Sequence, residues 1–320
     1  MKAAVIRAFD QAPRYESFAL PEKGEGVIVD VLAAALSPRV RSGASGAHYT
    51  SQGVLPLVPG LDGVGRLPDG RRVYFLAADD VLGTMAERTR ADPRLAVPLP
   101  DGVSASVIAA AMIPAISSWV ALTKRVTLAP GQSVLVLGAT GAAGQLAVQI
   151  AKRLGAGRVV AAGRDEAALA RLPALGADEV VRLTGGKEDP DAVAAIASEV
   201  DVVLDYLWGR VTTAVLPAMC RQREAESRAL DWILIGSVAG DEITLSSVLL
   251  RKRNLRILGS GQGATTTAEM FSVAPDVVAA FAAKALKVQV REIPLAEIER
   301  QWSAQPASGE RIVFVTEALR

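Results

Sequence analysis

The chain has 320 residues, half of them hydrophobic, with 35 Lys and Arg against 34 Asp and Glu. That length suits two domains and that apolar content suffices for a large core. A formal net charge of +1, with both signs spread along the chain, argues against a nucleic-acid tail or a basic membrane face. The only Cys is Cys220 and the only His is His48, which excludes an internal disulfide. The same count argues against zinc, whose sites draw three or four ligands from Cys, His and carboxylates.

The opening MKAAVIRAFDQAPRYE lacks the apolar stretch of a signal peptide. The longest unbroken apolar run, VIAAAMIPAI at 107–116, is shorter than the ~20 residues of a membrane span. The expectation is a soluble cytoplasmic chain. Its first hundred residues read as β-rich. AAVIRAF, YESFAL and GVIVDVLAAAL are short apolar or alternating runs, separated by turns such as LPEKGEG, and DGRRVYF reads as a turn into a strand.

From about residue 104 the rhythm changes. SASVIAAAMIPAISSWVALTKRV is helical in composition, and Pro114 is expected to break or kink it. Strand and helix then alternate. SVLVL is followed by GQLAVQIAKRLG, RVVAAG by DEAALARLPALG, EVVRL by DAVAAIASE, and VDVVLDYL by VTTAVLPAMCRQ; DWILIGSV and LRILGSG come next. Continuous apolar strands have both faces covered, and this alternation predicts an α/β fold with a doubly wound parallel sheet. A helix over AEMFSVAPDVVAAFAAKALK and the strands VQVREIPL and GERIVFVTE close the chain. Strands at both ends predict a discontinuous β-rich domain, residues 1–112 with 263–320, around a nucleotide-binding domain at 113–262. Cys220 falls in a helical run and reads as a packing residue.

The segment LGATGAAG, Leu137 to Gly144, joins the strand SVLVL to a helix. In the G-x-G-x-x-G frame of dinucleotide sites the three glycine positions fall on Ala139, Gly141 and Gly144. A glycine at the second admits a pyrophosphate close to the backbone, and one at the third lets helix and strand approach. The turn Ala139, Thr140, Gly141, Ala142, Ala143 and Gly144 is therefore the predicted phosphate cradle, aided by the N–H groups and dipole of the following helix. The next strand ends at Gly163, and Arg164 stands twenty residues after Gly144. A carboxylate there accepts the ribose hydroxyl of NAD, whereas an arginine pairs with the 2′-phosphate of NADP. Asp165 is the competing carboxylate, but it reads better as the N-cap of the next helix. The balance favours NADPH.

These residues resemble the medium-chain dehydrogenase/reductase superfamily, in its zinc-free quinone-oxidoreductase-like branch. The resemblance covers essentially the whole chain and is carried by VLVLGATGAAGQLAVQIAKRLGA, LPALGADEVV, DVVLDYLWG, PLVPGLDGVGRLPDG and GERIVFV. It implies a Rossmann domain plus a β-rich GroES-like domain built from both chain ends. Zinc-dependent members carry Cys where this chain has Ser37, and Gly-His-Glu where it has Gly60, Leu61 and Asp62. Their four-cysteine lobe has no counterpart. No metal is expected. Quinone-oxidoreductase relatives commonly carry Asn-Pro-x-Asp, Arg-x-Gly and Tyr. Here Ser37-Pro38, Val40, Ala44, Gly46 and the pair His48-Tyr49 stand at those positions, so several polar side chains are gone.

The resemblance implies hydride transfer from NADPH to a small electrophile, a quinone or an α,β-unsaturated carbonyl. Tyr49 and His48 are the candidate proton donors or oxyanion stabilisers. Ser117 matches a family Thr/Ser near the nicotinamide amide, and Gly236, Ser237, Gly259 and Ser260 are expected at the nicotinamide side. Arg39 and Arg41, in PRVRSGASG read as a loop, are candidates for attracting an acidic substrate. The strand in NLRILGSG is expected to pair with its twin in a homodimer. Two other functions stay open: a metal-free reductase of another carbonyl or alcohol substrate, and a non-catalytic NADPH-binding sensor.

Overall fold

The computed structural model describes residues 1–20, 24–79, 81–224 and 227–319. The turn predicted at LPEKGEG falls partly on Pro21, Glu22 and Lys23, which lie outside the described residues. The strands in chain order are β1 Lys2–Val5, β2 Arg14–Ser17, β3 Val27–Leu36, β4 Asp62–Arg66, β5 Arg72–Ala77, β6 Arg88–Pro98, β7 Ser133–Leu137, β8 Arg158–Gly163, β9 Glu179–Arg182, β10 Val202–Asp205, β11 Leu230–Leu234, β12 Leu255–Gly259, β13 Gln289–Pro294 and β14 Glu310–Val315. The helices used below are α1 Pro38–Ala44, α2 Ala105–Val120, α3 Ala142–Arg153, α4 Glu166–Leu169, α5 Asp189–Ala197, α6 Gly209–Gln222, α7 Ser247–Lys252, α8 Thr267–Ser272 and α9 Ala274–Ala282. The chain forms two compact units, Met1–Ile113 with Ala274–Arg320, and Pro114–Val273.

In the first unit β13, β14, β3, β4, β5 and β6 form one sheet in that order, and β3 pairs again with β6. That extra pairing closes β3 to β6 on themselves around Val29, Val31, Val73, Phe75 and Ala91. The carboxyl-terminal β14 lies antiparallel to β3, with Ile312 opposite Leu36. One face of these strands packs Ala34, Leu36, Ile312 and Phe314 into a second core.

The second unit is a parallel six-stranded sheet in the order β9-β8-β7-β10-β11-β12. Every residue of β7 and β10 is buried, as expected for apolar strands covered on both faces. Leu135, Leu137, Val203 and Trp232 from the sheet meet Val193 of α5 and Val215, Met219 and Cys220 of α6. Burial pushes the Cys220 thiol up, so it packs rather than reacts. Strand order reverses between β7 and β10, which makes their carboxyl ends the switch point where such sheets bind ligands.

Four local expectations change. Pro114 does not end α2: the helix runs through it and continues as a π-helical turn over Ala121–Arg125. Ala105–Arg125 is long and apolar enough to cross a bilayer, but 83% of its apolar window is buried inside the molecule, the place of a core helix. DEAALARLPALG splits into α4 and a 3-10 turn at Pro173–Leu175, because Pro173 cannot continue an α-helix. The long helix after residue 263 divides into α8 and α9 around Val273, with Pro275 in the first turn of α9. The loop read at PRVRSGASG contains α1, with Ser37 as its N-cap, accepting from the Val40 N–H, and Pro38 at its first position.

Candidate functional site

The turn after β7 is held at its base. The N–H groups of Gly138 and Ala139 both donate to the Ala162 carbonyl at 2.9 Å, and the Gln145 amide donates to the Thr140 carbonyl at 3.1 Å. Helix α3 then starts behind Gly141, in extended conformation, with no side-chain cap. Its first N–H groups are left for an anion. Gly144 is fixed by contact: a Cβ there would lie 2.3 Å from the Gly138 carbonyl oxygen and 2.6 Å from the Ala139 Cα. Gly141 is exposed, and the nearest atom to a Cβ there is the Gly138 oxygen at 3.6 Å. So the third glycine serves close packing, while the second leaves backbone open. The residues present fit a pyrophosphate.

At the end of β8, Gly163 leaves room for Thr140: a Cβ would come within 2.5 Å of its methyl group. Arg164 follows, exposed and with no side-chain partner among the described residues. Asp165 caps α4 by accepting from the Ala168 N–H at 2.7 Å. Its neighbour Glu166 pairs with Arg182 at 3.1 Å. The two carboxylates next to Arg164 are thus engaged within the protein. Gly236 and Ser237 follow β11, and Gly259 ends β12 with Ser260 buried after it. All four stand at the same carboxyl edge. Ser237 donates to the Asp241 carboxylate at 2.7 Å. Ser117 lies in α2 and donates back to the Pro114 carbonyl at 2.8 Å.

Sequence reasoning misses the crossover after β10 as part of the site. Asp205 is fully buried and accepts from the backbone N–H of Leu207 and Trp208, the Thr212 hydroxyl and the Trp232 indole. Four donors satisfy a charge that burial would otherwise penalise heavily. They hold Trp208 at φ +53°, a conformation that costs a non-glycine residue about 1–3 kcal/mol. The Trp208 indole then donates to the Asp241 carbonyl, which places β10 and the Ser237 turn in one hydrogen-bonded chain. A carboxylate ending the apolar run VDVVLD is the available signal.

In the first unit, His48 and Tyr49 follow α1. Their rings stand 4.2 Å apart between centroids, and Tyr49 is 73% exposed. His48 Nδ1 lies 2.9 Å from the Thr50 hydroxyl, and the Thr50 N–H donates to it at 3.2 Å. Arg39 donates to the Thr50 hydroxyl at 2.7 Å. Arg41 donates to the Ala304 carbonyl at 2.7 Å and lies over Trp302. Both arginines are engaged in holding this segment. Val40 and Ala44, where relatives carry polar residues, are buried.

A family profile described as zinc-binding dehydrogenase matches residues 142–278. A probable NADPH-dependent quinone reductase of Emericella nidulans, tdiC, is 28% identical over 339 residues, covering 92% of this chain and 93% of that protein. A chloroplastic NADPH-dependent alkenal/one oxidoreductase of Arabidopsis thaliana is 29% identical over 205 residues, which span 59% of this chain and 52% of that protein. The quinone oxidoreductase of Thermus thermophilus, whose structure was also solved in complex with NADPH, superposes with a TM-score of 0.78 at 28% identity. That match covers 98% of this chain and 100% of the solved chain. Over nearly its whole length the chain is similar to quinone-oxidoreductase-like proteins of the medium-chain dehydrogenase/reductase type. It is an oxidoreductase.

The residues of this chain do not suit the zinc named in the matching profile. Ser37 is committed to capping α1, and Leu61 carries no donor. Asp62 is buried, and among the described residues no three His, Cys, Asp or Glu side chains form a metal-binding group. Burial pushes the Asp62 carboxyl up to about 7, against the opposing pull of the Tyr74 hydroxyl and the Arg311 guanidinium. A catalytic zinc does not fit this donor set.

Proposed function

We propose that the chain is an NADPH-dependent reductase that transfers hydride, without a metal, to a quinone or an α,β-unsaturated carbonyl compound. The carrying observation is an uncapped helix N-terminus behind Gly141 combined with Arg164, which has no side-chain partner among the described residues, beside an already engaged Asp165. NADPH, when bound, supplies the hydride from its nicotinamide C4. The α3 N–H groups bind the pyrophosphate and Arg164 pairs with the 2′-phosphate. Ser117, Gly236, Ser237, Gly259 and Ser260 orient the nicotinamide. Hydride arriving at an enone's β-carbon pushes charge onto its carbonyl oxygen, and we assign Tyr49 or His48 as the donor to that oxygen. The relatives named for quinone and alkenal/one reduction support this class.

A second reading, reduction of an aldehyde or ketone, draws on buried, apolar Val40 and Ala44 where quinone relatives carry Asp and Arg. We also infer a homodimer: β12 is an edge strand with no partner on its outer side among the described residues, and Val238, Val248 and Leu250 stand exposed in the same unit. Product analysis tests the chemistry. NADPH with a panel of quinones, enones and aldehydes is predicted to give quinols and saturated ketones. Alcohols as the only products favour the second reading, and NADPH binding without any product favours a sensor.

A further inference from the structure

A phenol and two serines meet at the carboxyl edge of the second unit's sheet. Ser118 of α2 is fully buried, and its Oγ lies 2.8 Å from the Tyr206 hydroxyl. Ser118 has one proton, and it goes to the Pro114 carbonyl at 3.1 Å. The phenol therefore donates to Ser118. Burial pushes Tyr206 up to about 12, so its proton is present throughout the neutral range. The neighbouring Ser117 hydroxyl donates to the same Pro114 carbonyl at 2.8 Å and lies beside Tyr206.

Tyr206 directly follows β10 and sits between two turns of the site. A Cβ on Gly138 would come within 3.2 Å of the Tyr206 Cβ, and one on Gly236 within 3.1 Å of its carbonyl oxygen. One residue thus touches the phosphate turn, the turn after β11 and the helix that carries Ser117. Packing alone does not call for a hydroxyl. A phenylalanine would fill the same volume without a polar group to desolvate.

We propose that Tyr206 is a positioning residue for the nicotinamide end of NADPH: through Ser118 it fixes the Pro114–Trp119 turn of α2, and with it the Ser117 hydroxyl that meets the carboxamide. This rests on the NADPH reading above. The serine pair and the tyrosine are separated by 88 residues, and only the fold makes them one group.

The test uses the full chain, Tyr206→Phe, Ser118→Ala and the double variant, with two ligands. NADPH binding is followed by nicotinamide fluorescence. Binding of 2′,5′-ADP, which carries the 2′-phosphate but no nicotinamide, is followed by calorimetry. Each single variant is expected to weaken NADPH about three- to tenfold and to leave 2′,5′-ADP within about twofold. The double variant is expected to match the singles, because all three lose the Tyr206–Ser118 hydrogen bond and the Pro114 carbonyl keeps Ser117 as a donor. Unchanged NADPH affinity, or equal weakening of both ligands, overturns the positioning role alone. A wild-type chain that binds neither ligand overturns the NADPH reading and this role with it. If Tyr206→Phe does not fold, Ser118→Ala carries the same comparison.

Discussion

Arg164 and Asp165 are adjacent, exposed and opposite in charge, and one hydrogen bond separates their roles. The Asp165 carboxylate accepts the Ala168 N–H, so it serves α4, while Arg164 has no partner among the described residues. A charge-assisted contact to a 2′-phosphate contributes about 1.5–3 kcal/mol. Arg164→Ala is therefore predicted to weaken 2′,5′-ADP roughly tenfold to a hundredfold while leaving NADH affinity nearly unchanged. Parallel loss for both ligands in a titration contradicts the assignment. This pair was legible in sequence because a cap and its helix are local. Asp205, Tyr206 and Ser118 were not. Their partners come from α2, α6 and β11, and no spacing rule links them.

Among the elements, the β7–turn–α3 unit was the most legible, since one strand, one glycine-rich turn and one amphipathic helix are contiguous. Its packing follows from Gly144. Gly144→Ala puts a Cβ against backbone that cannot swing away. The predicted cost is about 1–3 kcal/mol of stability, with loss of most NADPH affinity, read by denaturant unfolding and fluorescence titration. Wild-type values in both would show that the close approach does not matter. Elements with proline were read less well. Pro114 sits inside α2, where Ser117 and Ser118 both donate to its carbonyl and the helix continues into a π-turn. Pro173 and Pro275 act as propensity predicts, one starting a 3-10 turn and the other a helix.

At the scale of the whole molecule, the sequence carried the two architectures because strand–helix alternation and short β-runs have different periods. It did not carry the closure of β3 on β6, which depends on long-range pairing. Nor did it carry the burial of Asp62, which in sequence stands only as the counterpart of the Glu in the family's Gly-His-Glu. Asp62 has a pH consequence for folding. Its folded-state carboxyl titrates at about 7 against 3.8 ordinarily, so the native state keeps a proton the unfolded chain has released. The stability from neutral Asp62 is full below about 3.8 and is lost as pH rises through about 7. Asp62→Asn is predicted to flatten the fall in unfolding free energy across that window. Parallel curves for variant and wild type contradict this. Sedimentation is predicted to give a dimer mass, and a monomer would remove the pairing inferred for β12.

The central claim is metal-free hydride transfer from NADPH. The most direct measurement follows the nicotinamide absorbance of NADPH, and of NADH in parallel, with a quinone or enone acceptor and a metal chelator present. The account predicts acceptor-dependent oxidation that survives the chelator and prefers NADPH. Activity abolished by the chelator and restored by zinc, or bound NADPH that no acceptor oxidises, would contradict it.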